Sequence, residues 1–295
     1  MEGLQRDGMM DDLAGVRFTG NVAFGSADGV ELLLDCYTPE PRPAEILPAL
    51  VWVHGGGWES GDKRGGYSDV FGPMLARAGF VFATVDYRLS GQALFPAQIH
   101  DVKAAIRWMR ANATALGIDP DRIGIWGHSA GGHLAALAGV SGDIPELEGE
   151  SGSPGVSSRV QAALPLSPAT DFRIIPGGWT SIEPRRATEK LVGGRLEERA
   201  DLVRMANPMT HIRPGVPPFL IVHGAADGVV PVEQGIALAD ALRSVGGDVT
   251  LDVLPGADHW FASASRGVST PDALDGIGRL AIAFFSTHLG TPPNP

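Results

Sequence analysis

The 295-residue chain is 44% hydrophobic and 19% charged, with 40 glycines and 23 prolines, a composition that supports a sizeable buried core. Its net charge of −11 argues against a nucleic-acid binder and against a polybasic membrane-surface protein, both of which need clustered Lys and Arg. A single cysteine, Cys36, rules out an intramolecular disulfide and a zinc site built on cysteines.

The first residues, MEGLQRDGMMDDLAG, lack a positive start followed by an apolar run. No signal peptide is expected there, and a cytoplasmic location is the expectation. No stretch is long and apolar enough to suggest a membrane span. Residues 1–29 read as an N-terminal extension. Strands are then expected at VELLLDCYT (Val30 to Thr38), PALVWVH (Pro48 to His54) and GFVFATVDY (Gly79 to Tyr87), with a helix-like PMLARA before the last. Ile99, Val102, Ile106 and Met109 recur at three- and four-residue spacing. That period predicts a helix from about Pro96 to Ala115, stopping near Gly117. DRIGIWG (Asp121 to Gly127) reads as a strand and AGGHLAALAGV as a helix rich in small residues. VQAALPLS and PPFLIVHG are two further buried strands. VEQGIALADALRSVG is a helix ending at Gly246, DVTLDVLPG a strand, and LDGIGRLAIAFFSTHL a closing helix.

Strands alternating with helices imply a mostly parallel sheet covered on both faces, with ligand sites at the C-terminal strand ends. Residues 1–295 read as one domain. Ser141 to Arg159 is rich in Gly, Ser and Pro, and Thr170 to Pro214 lacks a clear strand. Residues 141–214 are therefore expected to form excursions over the active-site face.

Gly127-His128-Ser129-Ala130-Gly131 matches G-x-S-x-G between a predicted strand and a predicted helix. A serine exposed on so sharp a turn can act as a nucleophile, and glycines on either side avoid collisions. The same residues could form a plain strand-to-helix turn with a capping serine, but the strand–turn–helix context favours catalysis. Such a serine needs a base, and the base needs an anion to hold its tautomer. Chain order for this motif puts the acid next and the histidine last. Asp227 follows one predicted strand in LIVHGAADGVVP, and His259 follows the next in LDVLPGADHWF. Asp258, Asp171 and Asp252 are rivals for the acid. His54, His100, His128, His133, His211, His223 and His288 are rivals for the base. Of these, His223 reads as a packed structural residue and His54 as ordering the glycine loop. An oxyanion needs preorganised N–H donors. Gly55 and Gly56 of His54-Gly55-Gly56-Gly57, together with Ala130, are the candidates, with Gly57 shaping the turn. Glycine is expected in that loop because a Cβ would obstruct an approaching carbonyl. Trp58, Trp260 and His128 are candidate substrate contacts. Phe172, Trp179 and Phe261 could also line a pocket, although each could be plain core.

H-G-G-G-W from His54, D-Y-R-L from Asp86, G-H-S-A-G-G-H from Gly127 and H-G-x-x-D-x-x-V-P from His223 resemble the α/β-hydrolase esterase/lipase superfamily. HGGG and DYRL are shared with its hormone-sensitive-lipase-like group. The longer run from FPAQIHDVKAAIRWMR to GHSAGGHLAAL is more similar to the bacterial branch that includes feruloyl-esterase-like proteins. The resemblance covers roughly Val30 to Leu289. It implies the α/β-hydrolase fold, a Ser129–His259–Asp227 triad, structural roles for Asp86 and Arg88, and no cofactor or metal. Hormone-sensitive-lipase-like enzymes carry a substantial N-terminal cap. Only residues 1–29 precede the first expected strand here, so the cap is expected to be small or minimal. The implied function is a serine carboxylesterase for short-chain or aryl- or carbohydrate-linked esters, with a small-molecule ester as its partner. Two alternatives stay open: an amidase or arylformamidase using the same triad, and a non-catalytic binding protein on a hydrolase fold.

Overall fold

LPALVWV, Leu47–Val53, is buried at all seven positions, as only a strand covered on both faces can be. In the computed structural model, which describes residues 13–142, 144–172, 182–262 and 271–290, this strand is β3 of an eight-stranded sheet. The other strands are β1 (Val16–Ala27), β2 (Val30–Pro39), β4 (Val81–Val85), β5 (Ile118–His128), β6 (Ala162–Leu166), β7 (Phe219–Gly224) and β8 (Val249–Leu254). Their spatial order is β1-β2-β4-β3-β5-β6-β7-β8. β2 pairs antiparallel with both β1 and β4, and every pair from β4 to β8 is parallel.

Helices α1 (Ser68–Arg77), α2 (Ala97–Ala111), α3 (Ala113–Leu116) and α4 (Ala130–Val140) alternate with the strands, followed by α5 (Ile182–Val192), α6 (Ala200–Ala206), α7 (Glu233–Ser244) and α8 (Pro271–Leu289). Alternate side chains of β3 feed two cores. Ala49, Val51 and Val53 pack with Ile99, Val102 and Ile106 of α2 and with Leu134 and Leu137 of α4. Leu50 and Trp52 pack with Phe71 and Leu75 of α1 and with Ile277, Ala281 and Phe285 of α8. This is the α/β-hydrolase fold. β3 connects through α1 to β4 on one side, and the chain then returns through α2 to β5 on the other. The order reverses at β3, so a crevice opens beyond the C-terminal ends of β3 and β5.

Three expectations need correction. Within the residues read as an N-terminal extension, Val16–Ala27 forms edge strand β1. Only Val16 and Phe24 of it are buried, and its pairing with β2 is bulged near Asn21 and Phe24; burial still alternates from Val16 to Phe24 and slips by one residue after it. The hairpin turn Asp28-Gly29 has φ of 49° and 77°, the left-handed pair that Asp-Gly favours. The helix expected to run to Ala115 ends at Ala111 and resumes as the single turn α3, which Gly117 closes at φ 61°. Finally, the stretch from Ser141 to Arg159 leaves the C-terminal end of α4 and leads to the start of β6, so it lies away from the active-site face. It is tied to the flank of α2 instead. Buried Lys103 donates to the Ser141 carbonyl (2.6 Å) and to Glu148 (2.8 Å), and Arg107 donates to the carbonyls of Glu148 and Ser151 (both 2.6 Å). In contrast, α5 does stand beside the crevice: Ala187 lines it, and Lys190 pairs with Glu59.

Candidate active site

β5 ends in a turn that brings Ser129 to the crevice with φ 58° and ψ −118°. The turn is tight because the strand and the following helix nearly touch. A Cβ on Gly127 would lie 2.6 Å from the carbonyl oxygens of Gly131 and Val53, and one on Gly131 would lie 2.0 Å from that of Val53. The Ser129 amide is held by the Leu166 carbonyl at 2.9 Å, and α4 starts at the next residue. The positive end of that helix therefore sits beneath the hydroxyl.

The loops after β7 and β8 are bonded together. Ala225 N–H donates to the Leu254 carbonyl at 3.0 Å, and Ala226 N–H to the Ala257 carbonyl at 2.9 Å. A Cβ on Gly224 would lie 2.4 Å from the Ala257 oxygen, so only glycine lets the two loops approach so closely. Asp227 and His259 then meet: His259 Nδ1 lies 2.7 Å from Asp227 Oδ2, and His259 Nε2 lies 2.9 Å from Ser129 Oγ. The chain brings together three residues separated by as many as 130 positions. Asp227 Oδ1 accepts from the amides of Val229 (2.9 Å) and Val230 (2.8 Å). Burial raises the pKa of this carboxyl, but the hydrogen bonds to His223, His259 and the Val230 amide outweigh it and hold Asp227 below the usual carboxylate range. It is therefore an anion at neutral pH.

The rival acids are engaged elsewhere. Asp258 Oδ1 takes the amides of Trp260 and Ala262 (both 2.9 Å), so it builds the histidine loop rather than facing the ring. Asp171 accepts from Asn207 at 2.9 Å, and Asp252 lies within β8. His223 Nε2 lies 2.9 Å from the Val230 carbonyl and 3.4 Å from Asp227 Oδ2, so this histidine packs beneath the acid loop that it helps to hold. Its H-G-x-x-D spacing carries that signal. Asp86 and Arg88 do tie the end of β4 to its neighbours. Asp86 accepts from the Lys63 amide (2.8 Å) and ammonium (2.9 Å), while Arg88 forms a two-pronged pair with buried Asp101 at 2.8 Å per contact.

The glycine loop lies against the serine turn. Gly56 has φ 115° and Gly57 φ 61°. A Cβ on Gly56 would lie 2.1 Å from the Ser60 carbonyl oxygen, and one on Gly55 would lie 3.0 Å from that of His128. The glycines are thus required by the packing of the loop on itself and on the serine turn, a different reason from the obstruction of substrate expected from sequence. His54 orders the loop, as expected. Its Nδ1 donates to the Gly55 carbonyl at 2.7 Å, and its ring stacks on Tyr87 at 4.3 Å. Trp58 is buried, and its indole N–H donates inward to His133 Nδ1 at 3.1 Å, although the residue still borders the crevice. His133 in turn donates from Nε2 to the Ala206 carbonyl at 2.7 Å. Trp260 is 54% exposed at the mouth and stands edge-on to His259. His128 is buried beside His259, with ring centroids 4.8 Å apart. Phe172 packs on Trp58, and Phe261 packs on His128. Trp179 falls outside the described residues. The cavity along these groups is about 850 Å³.

Burial pushes the pKa of His128 down to about 3 and that of His133 to about 4. Both stay neutral in the folded protein, while an unfolded histidine titrates near 6.5. Below about pH 6.5 the unfolded chain takes up protons that the folded one refuses, so stability falls as pH drops. By pH 5 each ring costs about 2 kcal/mol. Denaturant unfolding of wild type at pH 7 and pH 5 is expected to show that loss, and His133→Gln is expected to show a smaller one. An unchanged pH dependence in His133→Gln would contradict the assignment.

A family model described as BD-FAE matches residues 34–242. The chain is 31% identical over 279 residues to the probable carboxylic ester hydrolase LipM of Mycobacterium tuberculosis, covering 94% of this chain and 64% of LipM. The chain thus spans less than two thirds of the length of that curated relative. Among solved structures, esterase 2 of Thermogutta terrifontis phosphorylated by paraoxon superposes with a TM-score of 0.76 at 30% identity, covering 96% of this chain and 97% of that one. A truncated carbohydrate esterase from gut microbiota superposes with a TM-score of 0.77 at 28% identity, covering 92% and 96%. The family match over most of the chain agrees with the sheet order and the serine turn: the chain belongs to the BD-FAE family, within the α/β-hydrolase esterase/lipase superfamily.

Proposed function

We propose that this protein is a serine carboxylesterase. The observation that carries the proposal is the unbroken relay from Asp227 through His259 to Ser129, with contacts of 2.7 and 2.9 Å, at the floor of an open crevice. Asp227 accepts from His259 Nδ1–H, which leaves the Nε2 lone pair facing the serine hydroxyl. Ser129 Oγ attacks the ester carbonyl carbon as its proton passes to Nε2. The tetrahedral oxyanion is held by the amides of Gly55, Gly56 and Ala130. The C–O bond to the alcohol then breaks, and the imidazolium returns its proton to the departing oxygen. Water repeats the sequence on the acyl-enzyme and frees the acid.

Short acyl groups and carbohydrate-linked esters are the proposed substrates. A butyrate-bound form of the Thermogutta esterase and the naming of the gut protein as a carbohydrate esterase support that choice. The test is turnover of p-nitrophenyl esters from acetate to palmitate, with methyl ferulate, acetylated xylan and the anilide matched to the best ester. Fast hydrolysis of short esters and at least about hundredfold slower hydrolysis of the anilide are expected, a barrier difference of about 2.7 kcal/mol, because the amine is the poorer leaving group. Equal rates on ester and anilide would make it an amidase. No turnover by folded protein would make it a binding protein.

A further inference from the structure

The ring of His128 adjoins the reacting centre, yet the triad does not use it. Its Nε2 lies 2.8 Å from the His259 carbonyl oxygen. A carbonyl can only accept, so Nε2 carries the proton. Burial keeps the ring neutral, so no second proton binds. With its tautomer fixed in this way, Nδ1 is an acceptor and nothing else.

Nδ1 lies beside Gly55, and both residues line the crevice. A Cβ built on that glycine would lie 3.5 Å from Nδ1 and 3.4 Å from the Ser129 Cβ. The acceptor and the Ser129 side chain therefore border the same point on the glycine loop. Among the described residues, no group donates to it. The Nδ1 of His223 is enclosed without a partner, but His128 borders the crevice. Other polar side chains nearby are engaged: the Ser129 hydroxyl with His259, and the Tyr67 hydroxyl with the Trp260 carbonyl.

We infer that His128 Nδ1 is a specificity-determining acceptor, selecting esters that carry a hydroxyl on the carbon bonded to the carbonyl or on the second carbon of the alcohol. The inference rests on the esterase reading and adds a substrate class to it. In the free enzyme, water can satisfy Nδ1. A bound ester that carries a hydroxyl there replaces the water's hydrogen bond. An ester with a methyl group in its place displaces the water and leaves the acceptor unpaired, which lowers its kcat/KM.

Two matched pairs test this. Methyl 2-hydroxypropanoate against methyl 2-methylpropanoate probes the acyl side, and 2-hydroxyethyl propanoate against propyl propanoate probes the alcohol side. Each ratio of kcat/KM is divided by the corresponding ratio for alkaline hydrolysis, which removes intrinsic reactivity. Wild type is expected to prefer the hydroxylated member of at least one pair by about tenfold. His128→Gln, which can still reach the His259 carbonyl but lacks an acceptor at the Nδ1 position, is expected to lose most of that preference. His128→Asn, whose Oδ1 stands near the Nδ1 position, is expected to retain the preference while losing rate on both members. Corrected ratios within about twofold of unity for both pairs in wild type would overturn the inference and leave the esterase reading intact. A wild-type preference that persists undiminished in His128→Gln would also overturn it. If folded wild type hydrolyses none of the four esters, nor any ester in the p-nitrophenyl series, both readings fall.

Discussion

Asp227→Asn is expected to lower kcat on an activated short-chain ester by about 10⁴-fold while leaving the fold intact. The reason lies in the two ends of the carboxylate. Oδ1 accepts the amides of Val229 and Val230, and Oδ2 lies 2.7 Å from His259 Nδ1. In the variant, the amide oxygen takes over the two backbone bonds, because only an acceptor fits there. The NH₂ group is then directed at His259 Nδ1. An NH₂ can only donate, so Nδ1 becomes the acceptor and the ring proton moves to Nε2. The serine hydroxyl now faces an N–H where it had faced a lone pair. The imidazolium that forms in the transition state also loses its counter-charge. Steady-state kinetics with circular dichroism as the folding control reads the outcome. A loss of less than tenfold would show that Asp227 does not set the tautomer.

Ser129→Ala is expected to cost about 10⁴- to 10⁶-fold in kcat. The substitution removes the attacking atom and leaves the turn that carries it. The backbone bond from the Ser129 amide to the Leu166 carbonyl, 2.9 Å long, does not depend on the side chain. The glycines at 127 and 131 that permit the turn are also unchanged. Melting behaviour should therefore stay close to wild type. A double variant with His259→Ala is expected to be no slower than Ser129→Ala alone, because base and nucleophile act as one unit. Additive losses would mean that His259 has a role apart from Ser129.

The parts of this fold that could be read from sequence are those where one physical cause dominates. Runs such as LPALVWV are apolar throughout because both faces of the sheet are covered. Glycines at 127 and 131 mark the serine turn because backbone contacts of 2.6 Å or less leave no room for a Cβ. Asp227 and His259 could be placed because each follows a strand that ends on the same edge of the sheet. Strand β1 was hidden because it lies at the edge, is bulged and is mostly exposed. The path of residues 141–159 was hidden for another reason. Composition shows only a loop; its passage from the end of α4 to the start of β6 puts it on the side away from the crevice, and the ion pairs of Lys103 and Arg107 with Glu148 hold it there. Likewise, no local pattern shows that the Trp58 indole turns inward to His133, or that His128 meets the His259 carbonyl, because both contacts span long stretches of chain.

The central claim is that Ser129, and no other residue, is made nucleophilic by His259. Paraoxon tests it most directly, since it transfers a diethylphosphoryl group to an activated serine. Intact-mass and peptide-mapping measurements are expected to find one adduct per chain, on Ser129, forming in step with loss of ester hydrolysis and absent from Ser129→Ala. Full hydrolytic activity with no adduct after prolonged exposure, or inactivation with the adduct on a different residue, would contradict the account.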